Sequence, residues 1–222
     1  MASDDSGPVV LCVFGSSPAP ALADLADREA ALRRADLVVV RVDEEPAGPC
    51  LADQAAGLLI VDEPPRGRTI GVGVGLALTT VRAPTLAWPC SNTERVPTEG
   101  PVLVGLTAPE DQDGTLAFAF AEASLRGVPV HAIDTGGAGE PAAVEILDRW
   151  SEKYPAVPVS HRSMPGVDPA VALVAASHRA QLVVIGATVR PDAAPVSSGS
   201  LIHAVLRRSA CPVVVVPDSS LG

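Results

Sequence analysis

Between Pro101 and Pro217 the chain carries five short apolar runs, each separated from the next by a segment with helical spacing or a helix-capping signal. The runs are Pro101–Leu106 (PVLVGL), Val128–Ile133 (VPVHAI), Val157–Arg162, Gln181–Ile185 (QLVVI) and Pro212–Val216 (PVVVV). Runs this short, rich in Val and Ile and bounded by Gly, Pro or polar residues, are strands buried on both faces. Val157–Arg162 is more polar and belongs at a sheet edge. Helices are expected over Thr115–Arg126, Ala142–Lys153, Pro169–Arg179 and Gly199–Arg208. Gly127 stops the first, and Asp168-Pro169 supplies a cap and a first-turn proline for the third. The order β-α-β-α-β-α-β-α-β demands right-handed crossovers. It therefore predicts an α/β fold: an open five-stranded parallel sheet with helices on both faces.

The first half repeats the beginning and end of this pattern. Pro8–Phe14 (PVVLCVF) answers Pro101–Thr107, and a helix over Ala19–Arg34 leads to a strand at Leu37–Val42. Gly57–Val61 (GLLIV) answers Gln181–Ile185, and the proline spacing of Pro84–Pro89 matches that of Pro212–Pro217. Only Asp43–Ala56 stands where the second half spends far more chain between its second and fourth strands. The pattern predicts an internal duplication with one copy shortened: residues 1–90, a linker at 91–100, and a complete domain at 101–222. Ile70–Val81, cut by Arg82 and Pro84, is read as a buried helix too short to span a bilayer.

Charge narrows the partners. With 16 Lys plus Arg against 26 Asp plus Glu, the net charge is -10, which disfavours nucleic acid and anionic membranes. Arg33-Arg34 and Arg207-Arg208 read as solvated helix faces. Met1–Gly7 is polar and acidic, without the features of a signal peptide, so a cytoplasmic location is expected. Cys12, Cys50, Cys90 and Cys211 are scattered without a C-x-x-C pair, so neither a metal nor a disulfide framework is expected.

In such a sheet, ligands bind at the carboxyl ends of the strands where the strand order reverses, here between the first and fourth. The loops concerned are Thr107–Asp113 and Gly186–Ser198. The second reads Gly186-Ala-Thr-Val189, nine residues, then Gly199-Ser200 ahead of a helix. A glycine after a strand admits close approach of a ligand, and Gly-Ser at a helix start offers N–H groups and a hydroxyl to phosphate. The plainer reading of both is a strand end and a helix cap.

This spacing, with Ala210-Cys-Pro-Val-Val-Val-Val216 and Phe118–His131, resembles the universal stress proteins. These carry Gly-x-x-Gly, nine residues, then Gly followed by Ser or Thr, before a Cys-Pro-Val-type last strand. The resemblance implies an adenine nucleotide alpha hydrolase-like fold and adenine-nucleotide binding, with ATP as candidate ligand. Thr107 stands where ATP-binding members have an Asp that meets adenine and ribose. The backbone around Ala132 corresponds to the segment that holds the adenine edge. Gly186, Gly199 and Ser200 match the phosphate loop, whereas Val189 replaces its second glycine. A β-branched residue tolerates positive φ poorly and fills space the phosphates need, so binding is expected to be weak or lost. The first half has Asp62 in place of Gly186, and its GVGVG run (Gly71, Gly73, Gly75) suits helix packing, so no nucleotide is expected there.

The resemblance also implies that the last strands of the two halves pair across a pseudo-twofold axis, making an intramolecular pseudo-dimer and leaving further homo-oligomers open. No catalytic constellation stands out. His131, His161, His178 and His203 show no metal spacing, no G-x-S-x-G elbow is present, and Asp111 and Asp113 read as helix-start acids. The expectation is a non-enzymatic stress-response regulator. The alternative is an interaction or structural module of the same fold that has lost nucleotide binding.

Overall fold

The computed structural model describes residues 7–13, 18–41, 56–61, 83–88, 96–106, 112–135, 140–187 and 201–217. In chain order the elements are β1 (Val9–Val13), α1 (Pro20–Arg33), β2 (Leu37–Arg41), β3 (Leu58–Val61) and β4 (Thr85–Ala87). The second half continues with β5 (Val102–Leu106), α2 (Asp113–Arg126), β6 (Val130–Asp134), α3 (Glu140–Lys153) and β7 (Val159–Ser163). It ends with α4 (Pro169–Ser177), β8 (Leu182–Ala187), α5 (Leu201–Arg208) and β9 (Val213–Pro217). The helix read at Ile70–Val81 lies outside the described residues.

The nine strands form one mixed sheet in the order β2-β1-β3-β4-β9-β8-β5-β6-β7. Every described pairing is parallel except that of β4 with β9, where Thr85 faces Val215 and Ala87 faces Val213. The five parallel strands expected of the second half are therefore contiguous with four from the first. Alternation along each strand sends neighbours to opposite faces. On β5, Val104 joins a core with Phe120 of α2 and Trp150 of α3, while Leu103 joins Leu173 of α4 and Val205 of α5.

Local signals explain most element ends. Asp168 accepts a hydrogen bond from the Val171 N–H at 3.1 Å, capping α4. The third strand of the second half starts at Val159 rather than Val157, because Val157 closes a turn onto the Tyr154 carbonyl and tucks its side chain into the core.

β1 and β5, α1 and α2, and β2 and β6 begin and end 93 positions apart, as Val9 and Val102, Pro20 and Asp113, and Leu37 and Val130 illustrate. The correspondence extends to the helix ends. Gly127 terminates α2 in the left-handed conformation at φ 64°, and its counterpart Arg34 terminates α1 at φ 53°. Arg34 is the only non-glycine residue with positive φ among the described residues.

The reading of Arg33-Arg34 as one solvated face is corrected. Arg34 is exposed, but the Arg33 side chain is only 10% exposed and sits where α1 meets α2. There Glu29 and Arg33 of α1 interlock with Glu122 and Arg126 of α2. Arg33 donates to both glutamates, and Arg126 reaches Glu29 Oε2 and Glu122 Oε2 at 2.8 Å each. Both glutamates and both arginines are 93 positions apart, so the square shares the offset of the two helices that carry it. Arg207 and Arg208 are exposed, as read.

Candidate functional site

The strand order places β5 between β8 and β6, so the carboxyl ends of these three strands converge at the point where the chain reverses its direction of strand addition. This is where a doubly wound sheet opens a crevice. The strand ends there are Leu106 of β5, Asp134 of β6 and Ala187 of β8. Asp134 is fully buried, and its backbone carbonyl accepts the Met164 N–H at 2.7 Å.

Two of the residues read as binding a nucleotide lie within this description. Ala132 is inside β6, fully buried, in register with Val104 on one side and His161 on the other. The ladder thus flanks it on both sides, two residues short of the strand end. Gly186 is near the end of β8, in register with Val216. A Cβ built on Gly186 would lie 2.6 Å from Thr115 Oγ1, in the first turn of α2. Any side chain would collide with that buried threonine, so close helix–strand packing accounts for this glycine. Ala132 and Gly186 bracket β5 rather than touching each other. Thr107, Val189, Gly199 and Ser200 lie outside the described residues, as do Asp62, Asp111 and the GVGVG run.

The start of α2 forms one wall. Asp113 accepts from Arg149 Nη2 at 2.8 Å and from Trp150 Nε1 at 3.2 Å, tying α2 to α3. Asp113 is the acid in the first turn of α2, but the bonds of its carboxylate run to α3. Gln112, which precedes α2, is buried, and its Oε1 has no hydrogen-bond partner among the described residues. No sequence signal distinguishes this glutamine from a surface loop residue.

The four histidines are dispersed over the second half. His131, His161, His178 and His203 fall on β6, β7, the end of α4 and α5. Burial, with the Arg162 guanidinium nearby, pushes His131 below its ordinary value. Among the described residues no group of three or more His, Cys, Asp or Glu could hold a metal ion. Burial pushes the Cys12 thiol up to about 12. It does the same to Cys211, against the opposite pull of a contact with the Ser209 hydroxyl. Both behave as packed apolar groups. No helix among the described residues is long and apolar enough to cross a membrane.

The sequence reading missed the Glu29–Arg33–Glu122–Arg126 square. The signal was present: Glu-x-x-x-Arg occurs in both halves, 93 positions apart. Burial alone would raise the Glu29 carboxyl, but the Arg126 and Arg33 guanidiniums outweigh it and hold the group below the usual carboxylate range.

Comparison with known proteins agrees with this architecture. A universal stress protein of Mycobacterium tuberculosis (strain H37Rv) is 36% identical over 140 residues, covering 55% of this chain and 47% of the relative. The chain spans about half the length of the curated relatives it matches. Among solved structures, a universal stress protein from Archaeoglobus fulgidus superposes with a TM-score of 0.64 at 14% identity, covering 96% of this chain and 89% of that one. A putative universal stress protein from Pseudomonas aeruginosa gives a TM-score of 0.59 at 14% identity, covering 98% and 95%. At such identities these two speak for the fold alone. The family model for universal stress proteins matches residues 100–217, which span β5 to β9 and the switch point of the strand order, and the chain belongs to the universal stress protein family.

Proposed function

We propose that this protein is a non-enzymatic, cytoplasmic stress-response regulator that binds an adenine nucleotide weakly, at the carboxyl ends of β5, β6 and β8. The observation that carries this reading is the switch point itself. β5 lies between β8 and β6, so Leu106, the residue that Thr107 follows in the sequence, ends its strand between Asp134 of β6 and Ala187 of β8. Gly199 and Ser200, just before α5, are the phosphate-binding candidates, and Ala132 and Gly186 belong to the strands that form the walls. Thr107 in place of an aspartate, and Val189 in place of a glycine, weaken the site. Loss of one charge-assisted hydrogen bond lowers affinity by about tenfold to a hundredfold, or ~1.5–3 kcal/mol.

In the same proposal, residues 1–90 are a shortened copy of the domain at 101–222, and the two halves form an intramolecular pseudo-dimer. The 93-residue correspondence of six elements and of the four charged residues supports the duplication. The antiparallel β4–β9 pairing supports the pseudo-twofold relation.

A second reading, an interaction module that has lost its nucleotide, is favoured by one observation. Gly186 is already accounted for by the Thr115 hydroxyl packed against it, so it does not require a ligand. Calorimetric titration with ATP, ADP, AMP and cyclic AMP separates the two. Weak saturable binding of an adenine nucleotide, without its hydrolysis, supports the first. Absence of heat with all four, from protein free of copurified nucleotide by absorbance and mass, supports the second.

A further inference from the structure

At the opposite end of the second half's strands from the crevice, a groove of about 500 Å³ opens between α1, residues 96–98 and the amino ends of β8 and β9. This is the size of a small-molecule site. Its walls are mostly apolar, formed by Leu25 and Leu32 of α1, Val96, Pro97 and Pro212, with Thr98 and Gln181 as uncharged polar neighbours; Leu25 and Val96 are themselves buried. Two arginines border it, Arg28 and Arg126. The one carboxylate in the lining, Glu29, is already held by Arg33 and Arg126 in the ion square, so its charge is compensated. Arg28 is exposed, its Nε donates to the Asp24 carbonyl at 3.2 Å, and it makes no ion pair among the described residues. In a chain of net charge -10, this groove presents an excess positive charge beside an apolar surface.

The repeat sharpens the point. Leu25, Arg28 and Leu32 of α1 have Phe118, Ala121 and Leu125 as their counterparts in α2, at the 93-residue offset of the two helices. The apolar positions stay apolar, but the cation is answered by an exposed alanine. The ion square is common to both halves, whereas the arginine at the rim of this groove belongs to one side only. The helix fold does not require a charge at this position, since the equivalent turn of α2 is built without one.

From this combination of apolar walls and an uncommitted, one-sided cation, we propose that the groove is a ligand site for a medium-chain carboxylate. The chain would lie against Leu25, Leu32, Val96 and Pro212, and the carboxylate would meet the Arg28 guanidinium in a charge-assisted hydrogen bond. The site is independent of the nucleotide crevice.

Calorimetry of the full chain with sodium octanoate tests this, with 1-octanol as the uncharged control. One molecule of octanoate is expected to bind per chain, at least tenfold more tightly than octanol. Arg28→Glu, an exposed helix position whose fold is checked by circular dichroism, should weaken octanoate at least tenfold and leave octanol unchanged. Saturating ATP should not displace octanoate. Equal binding of octanol and octanoate, undiminished binding to Arg28→Glu, displacement by ATP, or no binding of octanoate at all would each overturn the proposal.

Discussion

Arg126 of α2 donates from Nη2 to both carboxylate oxygens of Glu29 in α1, at 2.8 Å each, across two helices that begin 93 residues apart. The contact closes a buried square in which each helix supplies one acid and one base. Removing one member leaves an uncompensated charge in a poorly solvated place, which typically costs about 3–5 kcal/mol. Glu29→Gln is therefore expected to lower stability by that order in urea denaturation. Replacing all four members together by Leu or Met is expected to restore most of the loss, because no charge is then stranded.

The square also sets an acid limit. The Glu29 carboxyl titrates below its ordinary value in the folded chain because Arg126 and Arg33 overcome the effect of burial. Its stabilising contribution is thus fully present above the unfolded carboxylate value and is lost as pH falls through the lower folded one. Stability measured against pH should decline below about pH 4.5. The decline should be shallower in Glu29→Gln, which starts from a lower plateau.

Arg34 and Gly127 hold equivalent left-handed positions after α1 and α2. A side chain in that conformation costs roughly 1–2 kcal/mol that glycine avoids. Arg34→Gly should raise the thermal midpoint and Gly127→Ala should lower it. Opposite shifts of this kind, read by scanning calorimetry, would confirm that the strain sits in the first half's cap.

Asp113 offers a contrast with the square. Its carboxylate binds Arg149 and the Trp150 indole, but the Asp113 and Arg149 side chains are 69% and 55% exposed. Solvent screening leaves such pairs worth less than about 1 kcal/mol. Asp113→Ala should change stability by no more than this while altering the fluorescence of Trp150.

How far the sequence revealed the molecule depends on the kind of signal. The strands of the second half were legible because Val- and Ile-rich runs of strand length between capped helices admit one fold class. Gly127 and Asp168 were legible because their conformations and hydrogen bonds are local. The square left a trace, Glu-x-x-x-Arg in both halves, but such a spacing reads as an ordinary surface pair until α1 is laid against α2. Gly186 was ambiguous for the same reason: the sequence shows a glycine after a strand, and only Thr115, far away in the chain, explains it. Gln112 carried no signal, since burial of a polar loop residue arises from tertiary packing.

The central claim is that a universal stress protein nucleotide site persists at the β5–β8 switch point, weakened at Thr107 and Val189. The most direct measurement is calorimetric titration of ATP into the parent chain and into the double variant Thr107→Asp, Val189→Gly. Aspartate restores an acceptor for the ribose or adenine edge, and glycine frees the loop to present N–H groups to phosphate beside Gly199 and Ser200. On the proposed binding mode the two changes act at opposite ends of the nucleotide, so their gains should add. The account predicts at least a hundredfold tighter binding, about 2.8 kcal/mol, with Asp62→Gly giving no gain. A folded double variant that binds ATP no better than the parent would contradict it.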